Sequence, residues 1–364
     1  KERDRQPTIQ DFSAPASNLV AACDGRILSL RVYSGQATVA VGDGVTAGTL
    51  LVTKDKVFYL ADGRYFEAVS QKVPFAKAVL VKSKGWDELA ALCAELGIGQ
   101  LAFEDLEMTV ASYRALEKAM PGVSLVGLAD ALPRQRAIKD EQELSLIQKA
   151  QSVTDRAYQE LLNFIRAGVT EREVAHRLEE LMAGFGGQGL AFDTIAVAGT
   201  HSSQPHGRPS DYVLADGDFL TLDFGAAYEG YCSDMTRTVA IGHATDEMRL
   251  VYGTVLEAQQ RAIEMIAAGV SCREVDALAR SVMQKQGFEQ YFVHSLGHSF
   301  GMEIHEQPGL SQASEQTLEA GMVMTVEPGI YLPGRFGVRI EDDVFVTQTG
   351  CINLTASPKE LLIL

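Results

Sequence analysis

The chain has 364 residues, 46% hydrophobic and 22% charged, and its 32 basic and 48 acidic residues give a formal net charge of -16. This is a globular composition at a length that usually needs two domains, and an acidic balance without a Lys/Arg block argues against a nucleic-acid partner. No apolar stretch reaches the roughly 20 residues of a membrane span and the first residues lack signal-peptide features, so we expect a cytoplasmic protein without a membrane partner.

The first part of the chain alternates strand-like and helix-like stretches, which predicts a small α/β domain. The predicted elements are a hairpin over residues 49–62, strands over 78–82 and 100–105, and helices over 86–97 and 109–120. Pro121 and Gly122 end the last helix, and Leu132-Pro133 gives a linker signal. We therefore place the domain boundary near Arg136, with an N-terminal domain over 1–135 and a second domain over 136–364.

The second domain contains an internal duplication. Residues 144–165 have the apolar spacing of an amphipathic helix, which should end at Gly168. Residues 167–174 read AGVTEREV and residues 268–275 read AGVSCREV, with six identities in eight at an offset of 268 minus 167, or 101. Each copy follows a helix-length amphipathic run and starts with a capping-box pattern, Thr170 with Glu173 and Ser271 with Glu274. These features predict two helix-helix-hairpin halves related by a pseudo-two-fold axis.

Two acidic residues flank the turn of each predicted hairpin. Asp223 and Asp234 surround the turn at residues 228–230, and Glu327 and Glu341 surround Gly334. Each pair should lie roughly opposite across its hairpin, where like charges repel unless a cation lies between them. Four carboxylates are typical of two-metal hydrolases and favour hard or borderline divalent ions such as manganese. His298 would supply the single nitrogen ligand.

Three further histidines, His206, His294 and His305, lie in or near the same motifs, although the chain has only seven. A lone histidine is more often structural, but three beside a ligand array favour proton transfer and substrate orientation. Arg339 precedes Glu341 by two residues, so it should face the same side of the strand and pair with the ligand carboxylates or the substrate.

The segments LDFGAAYEGYCSDMTRT, VHSLGHSFGMEIHE, TVEPGIY and GVRIEDD resemble the aminopeptidase P and prolidase branch of the pita-bread metallopeptidases, family M24, and LLVTKDKVFYLADGRYFEA resembles the creatinase-type N-terminal domain of that branch. The resemblance implies an α/β (α+β) chain with a pita-bread catalytic domain after a smaller α/β domain. It implies five ligands for two divalent ions, usually Mn²⁺, with Co²⁺ or Zn²⁺ as alternatives: Asp223, Asp234, His298, Glu327 and Glu341.

The same resemblance implies an enzyme that hydrolyses the Xaa-Pro bond at the N-terminus of peptides or dipeptides, assembled as a homodimer. Asp234 and Glu341 would bridge the ions, and Glu327 would also act as general acid and base. His206, His305 and His294 match positions that contact the substrate and stabilise the tetrahedral intermediate, so His206 and His305 would be catalytic. Arg339 matches an arginine beside the bridging glutamate and would also bind the substrate. Ser295 and Ser299 stand where many relatives have glycine, which could alter the wall of the substrate pocket.

Four other functions remain open from the sequence. A methionine aminopeptidase would share the five ligands, but it would lack the extra N-terminal domain and an arginine like Arg339. A creatinase-like amidinohydrolase would lack the ligands, and a catalytically silent peptide-binding module would not need them. The segment GHSFG fits the nucleophile elbow of a serine hydrolase at Ser299, but no histidine follows His305 to complete the usual order of the triad.

Overall fold

The computed structural model describes residues 48–53, 56–82 and 86–364, together with the backbone of three earlier strands. Two compact units make up the chain, Lys1–Gln135 and Arg136–Leu364. Among the helices of the described residues, none combines the length and apolar character that a bilayer crossing requires.

Strands and helices alternate in the first unit. In chain order they are β1 Leu19–Cys23, β2 Leu28–Tyr33, β3 Gln36–Ala40, β4 Gly48–Val52, β5 Val57–Asp62, α1 Phe66–Lys72, β6 Lys77–Val81, α2 Asp87–Glu95, β7 Gln100–Phe103, α3 Val110–Ala119 and β8 Ser124–Gly127. Six strands form one sheet in the order β6-β5-β4-β1-β7-β8, and β2 pairs with β3. The predicted hairpin is the antiparallel pair β4 and β5, although residues 54–55 of its turn lie outside the described part of the chain.

The prediction of a linker at Leu132-Pro133 was wrong, because both residues belong to a short helix, α4, which spans Ala131–Ala137. A proline in the first turn of a helix needs no acceptor for a backbone N–H and already has a helical φ. The dipeptide therefore begins a helix instead of interrupting the regular structure.

The second unit carries the duplication. Its elements are α5 Glu141–Leu161, α6 Glu171–Gly184, β9 Gly189–Leu190, β10 Ile195–Ala198, β11 Phe219–Phe224, β12 Ala226–Tyr228, β13 Tyr231–Cys232, β14 Met235–Ala240, α7 Asp246–Met265, α8 Cys272–Lys285, β15 Gly297–Ser299, β16 Glu306–Leu310, β17 Val323–Val326, β18 Gly329–Leu332, β19 Phe336–Arg339, β20 Asp342–Val346 and β21 Cys351–Asn353. One helix pair precedes the three-stranded sheet β10-β11-β14. The other precedes β15-β17-β20, the centre of the sheet β16-β15-β17-β20-β21. The predicted pita-bread architecture is thus confirmed.

Each half has its own apolar core between its helices and its sheet. Leu161 and Leu178 are fully buried in the first half, as are Val255 and Val275 in the second. Burial of each such side chain contributes about 1.5–3 kcal/mol, so the helices give each sheet a stable backing.

The helix ends agree only in part with the sequence predictions. Thr170 and Glu173 form the predicted capping box on α6, whereas the side chain of Ser271 makes no capping hydrogen bond and Glu274 donates its N–H to the carbonyl of Ser271 instead. Helix α5 ends at Leu161 instead of continuing to Gly168, whose N–H donates to the carbonyl of Leu214. A tertiary hydrogen bond therefore replaces the last predicted turn.

Candidate metal centre

The aspartate hairpin has a register that differs from the prediction. Asp223 pairs with Thr236 across β11 and β14, so it lies diagonally from Asp234. The turn consists of Glu229 and Gly230, with φ values of 44° and 82°, the left-handed conformation of the tight turns that join hairpin strands. Because Asp234 and Thr236 are two residues apart, Asp234 still shares a face of the sheet with Asp223.

The glutamate hairpin has the predicted register. Val326 pairs with Asp342 on one side of the glutamates, and Gly329 pairs with Arg339 on the other. Both pairs centre on position 334, which places Glu327 opposite Glu341. The strand ends at Arg339 and resumes at Asp342, so Glu341 lies at a break where its backbone N–H donates to the carbonyl of Thr236.

Ligand atoms from both halves converge at one point. Asp234, His298 and Glu341 each offer one atom, and these atoms all lie within 4.8 Å of one another. Nε2 of His298 lies 3.6 Å from Oδ2 of Asp234 and 3.5 Å from Oε1 of Glu327. These separations are long for hydrogen bonds and suit atoms arranged around a common cation.

The acidic side chains of this centre leave buried oxygens without a hydrogen-bond partner. Oδ1 of Asp223, Oδ1 of Asp234 and Oε1 of Glu341 are all in this state. Burial, followed by repulsion from Glu341, raises the pKa of Asp234 well above its usual range, and burial raises the pKa of Glu327 to about 8. A buried polar atom without a partner is costly, so the three oxygens fit divalent ions, which would satisfy them and offset the repulsion.

Burial lowers the pKa of His298 to about 4, which favours the neutral imidazole that a metal requires. Its Nδ1 lies 3.1 Å from the carbonyl oxygen of Ser299, which can only accept a hydrogen bond. Nδ1 is therefore the protonated nitrogen, and Nε2 keeps its lone pair toward the carboxylates. The donor set and its charge state both fit a divalent metal.

Arg339 joins the aspartate hairpin to the glutamate hairpin. Its Nη2 donates to Oδ2 of Asp223 at 2.6 Å, and its Nε donates to the hydroxyl of Thr236 at 3.0 Å. That hydroxyl in turn donates to Oε2 of Glu341 at 2.7 Å. This role of Thr236 was not predicted from the sequence, where only its position two residues after Asp234 could have indicated it.

His294 is connected to Arg339 through Tyr331, which the sequence also failed to single out. Nη1 of Arg339 donates to the hydroxyl of Tyr331 at 2.6 Å, and that hydroxyl lies 2.9 Å from Nε2 of His294. Nδ1 of His294 lies 2.8 Å from the carbonyl oxygen of Ser295, so both ring nitrogens have partners within the protein. Burial, reinforced by the charge of Arg339, lowers the pKa of His294 to about 3 and keeps it neutral.

The other two histidines are exposed near the same centre. The ring of His305 lies 4.5 Å from the ring of His298, measured between centroids. His206 follows Pro205, whose carbonyl accepts a hydrogen bond from Nη1 of Arg339 at 3.3 Å. His305 thus lies beside His298, whereas His206 is linked to the centre through its neighbour Pro205, and both histidines are open to solvent.

Ser299 does not share the exposure of these histidines. It is fully buried, and its hydroxyl lies 3.2 Å from Nζ of Lys139, which also contacts Oε2 of Glu306 at 3.0 Å. Burial removes Ser299 both from the wall of an open pocket and from the position of a nucleophile. The exposed Ser295 contributes its carbonyl to His294.

Arg237 is a further residue that the sequence did not reveal. It is 1% exposed, and its guanidinium donates to the carbonyl of Glu341 at 2.5 Å and to Oδ1 of Asp342 at 2.8 Å. It also donates to the carbonyls of Ser357 and Pro358. These bonds hold the strand break at Glu341 in place.

Comparison with known proteins supports the same interpretation. Residues 145–348 match the model of metallopeptidase family M24, and residues 33–138 match the creatinase/prolidase N-terminal domain. A protein named Xaa-Pro dipeptidase from Pyrococcus furiosus is 37% identical over 337 residues, which are 92% of this chain and 93% of that protein.

Two solved structures are similar over nearly the whole chain. The Xaa-Pro dipeptidase from Bacillus anthracis has a TM-score of 0.87 and 40% identity, and the alignment covers 96% of this chain and 95% of that one. The X-Pro aminopeptidase from Thermotoga maritima has a TM-score of 0.82 and 38% identity, with 88% of this chain and 91% of that one covered.

Proposed function

We propose that this chain, which belongs to metallopeptidase family M24 and is a peptide hydrolase, is a two-metal exopeptidase that cleaves the Xaa-Pro bond at the N-terminus of its substrates. The observation that carries the two-metal proposal is the set of three orphaned carboxylate oxygens on Asp223, Asp234 and Glu341. The names of the relatives support proline as the second residue of the substrate.

In this proposal Asp223, Asp234, His298, Glu327 and Glu341 would hold the metal ions. When bound, two divalent ions would lower the pKa of a water molecule and polarise the scissile carbonyl. Oxygen-rich donors with one imidazole favour manganese, and cobalt or zinc could replace it.

Glu327 serves as the general acid and base in this proposal. Its side chain is 17% exposed, so it is partly open to an incoming substrate. The exposed His206 and His305 contact the substrate and stabilise charge on the carbonyl oxygen as the peptide bond is attacked.

Arg339 and His294 line the same site but act differently. Arg339 orients Asp223, and His294 presents an uncharged ring whose nitrogens are already occupied. A neutral, rigid ring is suited to contact with the pyrrolidine of proline, which offers no N–H to a hydrogen-bond acceptor.

The test is a comparison of matched peptides with the manganese-loaded protein. Rates of hydrolysis of an Xaa-Pro dipeptide and of a tripeptide that begins with Xaa-Pro separate dipeptidase from aminopeptidase activity. The same peptides with alanine in place of proline test the preference for proline. Cleavage that prefers the alanine peptides would refute the proline assignment. Preference for an N-terminal methionine whatever follows it would favour a methionine aminopeptidase.

We further propose a homodimer, an assembly that rests on the family resemblance alone. Light scattering at assay concentration should give twice the mass of 39.4 kDa. If a sample that contains only monomer is fully active, the dimer is not needed for activity.

A further inference from the structure

Glu171 is a carboxylate outside the metal centre that is nevertheless fully buried. Oε1 accepts a hydrogen bond from the N–H of Ala198 at 2.6 Å. Oε2 accepts from the N–H of Ser210 at 2.9 Å and from its hydroxyl at 2.6 Å. Nδ1 of His201 lies 3.0 Å from both oxygens. Burial of a carboxylate is costly unless its oxygens have hydrogen-bond partners, and both oxygens of Glu171 have them.

These contacts close a loop that carries His206. Ala198 ends β10 and Ser210 lies beyond the loop, so one carboxylate binds both ends of residues 199–209. The loop leaves the strand at Gly199, whose φ is +54° and where an added Cβ would lie 2.6 Å from the hydroxyl of Tyr212. Its starting conformation therefore requires glycine.

The far side of the loop contacts β19, the strand that carries Arg339. Pro205 accepts from Arg339, and the hydroxyl of Ser202 accepts from the N–H of Gly337 at 2.9 Å. An added Cβ on Gly337 would lie 2.2 Å from the carbonyl oxygen of Ser202, so the loop and β19 touch backbone to backbone. A shift at the base of the loop would thus be transmitted to His206.

The second half of the domain anchors its histidine with different residues. Oδ1 of Asp276 accepts from the N–H of Leu296 at 3.1 Å, and Arg280, paired with Asp276, donates to the carbonyl of His294 at 2.6 Å. The offset of 101 places Cys272 at the position of Glu171, because 171 plus 101 is 272. The two halves therefore share the anchoring of a histidine-bearing segment without sharing the anchoring residue.

We infer that Glu171 is a positioning residue for peptide hydrolysis, which acts by closing the loop that places His206 against the substrate. The inference rests on the role proposed above for His206. Misplacement of a substrate-contacting group by about 1 Å can cost roughly 100-fold in rate, so loosening the base of the loop should be detectable in kcat/KM.

The experiment is a double-mutant cycle between Glu171→Gln and His206→Ala in the manganese-loaded protein. An amide nitrogen cannot accept a hydrogen bond, so Glu171→Gln releases one end of the loop. We expect a fall in kcat/KM of roughly 10-fold to 100-fold with unchanged metal content. In the His206→Ala background the same substitution should change kcat/KM by less than about 2-fold, because coupled residues are not additive.

Glu173→Gln is the matched control, since Glu173 lies on the same helical turn but is exposed and bonds to Thr170 instead of the loop. It should leave kcat/KM unchanged in both backgrounds. If Glu171→Gln does not fold, Ser210→Ala removes one contact to the carboxylate and should show the same coupling to His206 at smaller amplitude.

Three results would overturn the inference. Glu171→Gln could lower kcat/KM equally in the wild-type and His206→Ala backgrounds, or it could lose metal. Alternatively, both Glu171→Gln and Ser210→Ala could have normal kcat/KM. The cycle is measured on the best peptide substrate of the wild-type enzyme. Poor cleavage of Xaa-Pro peptides would then refute the proposed specificity alone. Full activity of His206→Ala would refute the role of His206, whereas an impaired His206→Ala with additive effects would refute only the positioning by Glu171.

Discussion

Nη2 of Arg339 lies 2.6 Å from Oδ2 of Asp223, although 116 residues separate the two along the chain. The guanidinium occupies one oxygen of the carboxylate, while Oδ1 stays buried without a partner. With Oδ2 occupied, Asp223 could offer only Oδ1 to a metal in the proposed assignment, and groups behind a ligand commonly control metal sites in this way.

Substitution of Arg339 by lysine should lower metal affinity or kcat/KM by roughly 10-fold to 100-fold. A single ammonium group cannot reach Asp223, Thr236 and Tyr331 together. Metal titration and steady-state kinetics measure the change. Arg335→Lys, an exposed arginine in the turn of the same hairpin, is the control and should behave as wild type. Equal behaviour of the two variants would contradict the orienting role.

Metal analysis after manganese loading should approach two ions per chain, and Asp234→Ala should lose both metal and activity. Under the proposed assignment Asp234 would contact both ions, so its removal should affect the whole centre. Asp193→Ala, whose side chain is 90% exposed, is the control and should retain both ions. Full activity with metal content near zero would exclude the two-metal assignment.

His305→Ala should retain both ions while kcat falls by roughly 100-fold to 10,000-fold, the range for a group that acts on the transition state. The thermal midpoint should change little because His305 is exposed. His243→Ala, at an exposed histidine bonded to Asp216, provides the comparison and should keep normal kcat. Near-normal turnover of His305→Ala with two ions bound would show that His305 is misassigned.

The metal-free protein should lose stability as the pH rises. Burial raises the pKa of Glu327 from 4.5 to about 8, and a carboxyl with a raised pKa in the folded state favours folding while it is protonated. Its contribution is complete below about pH 4.5 and is lost as the pH rises toward about 8. Thermal melts of metal-free protein across this window should show a falling midpoint.

Glu327→Gln should flatten this decline, since the amide cannot ionise. Glu289→Gln, on a short turn after α8, is the control and should leave the pH dependence unchanged. Manganese loading should raise the midpoint most at the alkaline end, where the carboxylates repel most. If the thermal midpoint of the metal-free protein does not depend on pH, the raised pKa of Glu327 and the repulsion between the buried carboxylates are contradicted.

Arg237→Ala should destabilise the second unit by about 3–5 kcal/mol, because it leaves the buried carboxylate of Asp342 without its arginine partner. A loss of this size lowers the melting temperature of a unit this large by roughly 10 °C. Arg249→Ala, on the exposed face of α7, should leave it nearly unchanged. A small effect of Arg237→Ala would mean that Lys359, the other cation bonded to Asp342, is sufficient.

The sequence by itself determined the duplication, the chain positions of the four carboxylates and the register of the glutamate hairpin. These features depend on local periodicity and turn chemistry, which act over a few residues. The register of the aspartate hairpin was less predictable, because the turn at Glu229 and Gly230 sets the pairing of Asp223 with Thr236. A change in where such a turn is centred alters every pairing along the hairpin.

Only the tertiary structure decided which residues support the site. Arg237 reaches Ser357 and Pro358, and Glu171 reaches Ser210, through contacts that leave no periodic trace in the sequence. A buried polar group must be satisfied by whatever donor or acceptor the folded chain brings beside it, however distant in sequence. Local patterns therefore placed the chemistry on the chain, and the packing of the two halves chose the partners that hold it in position.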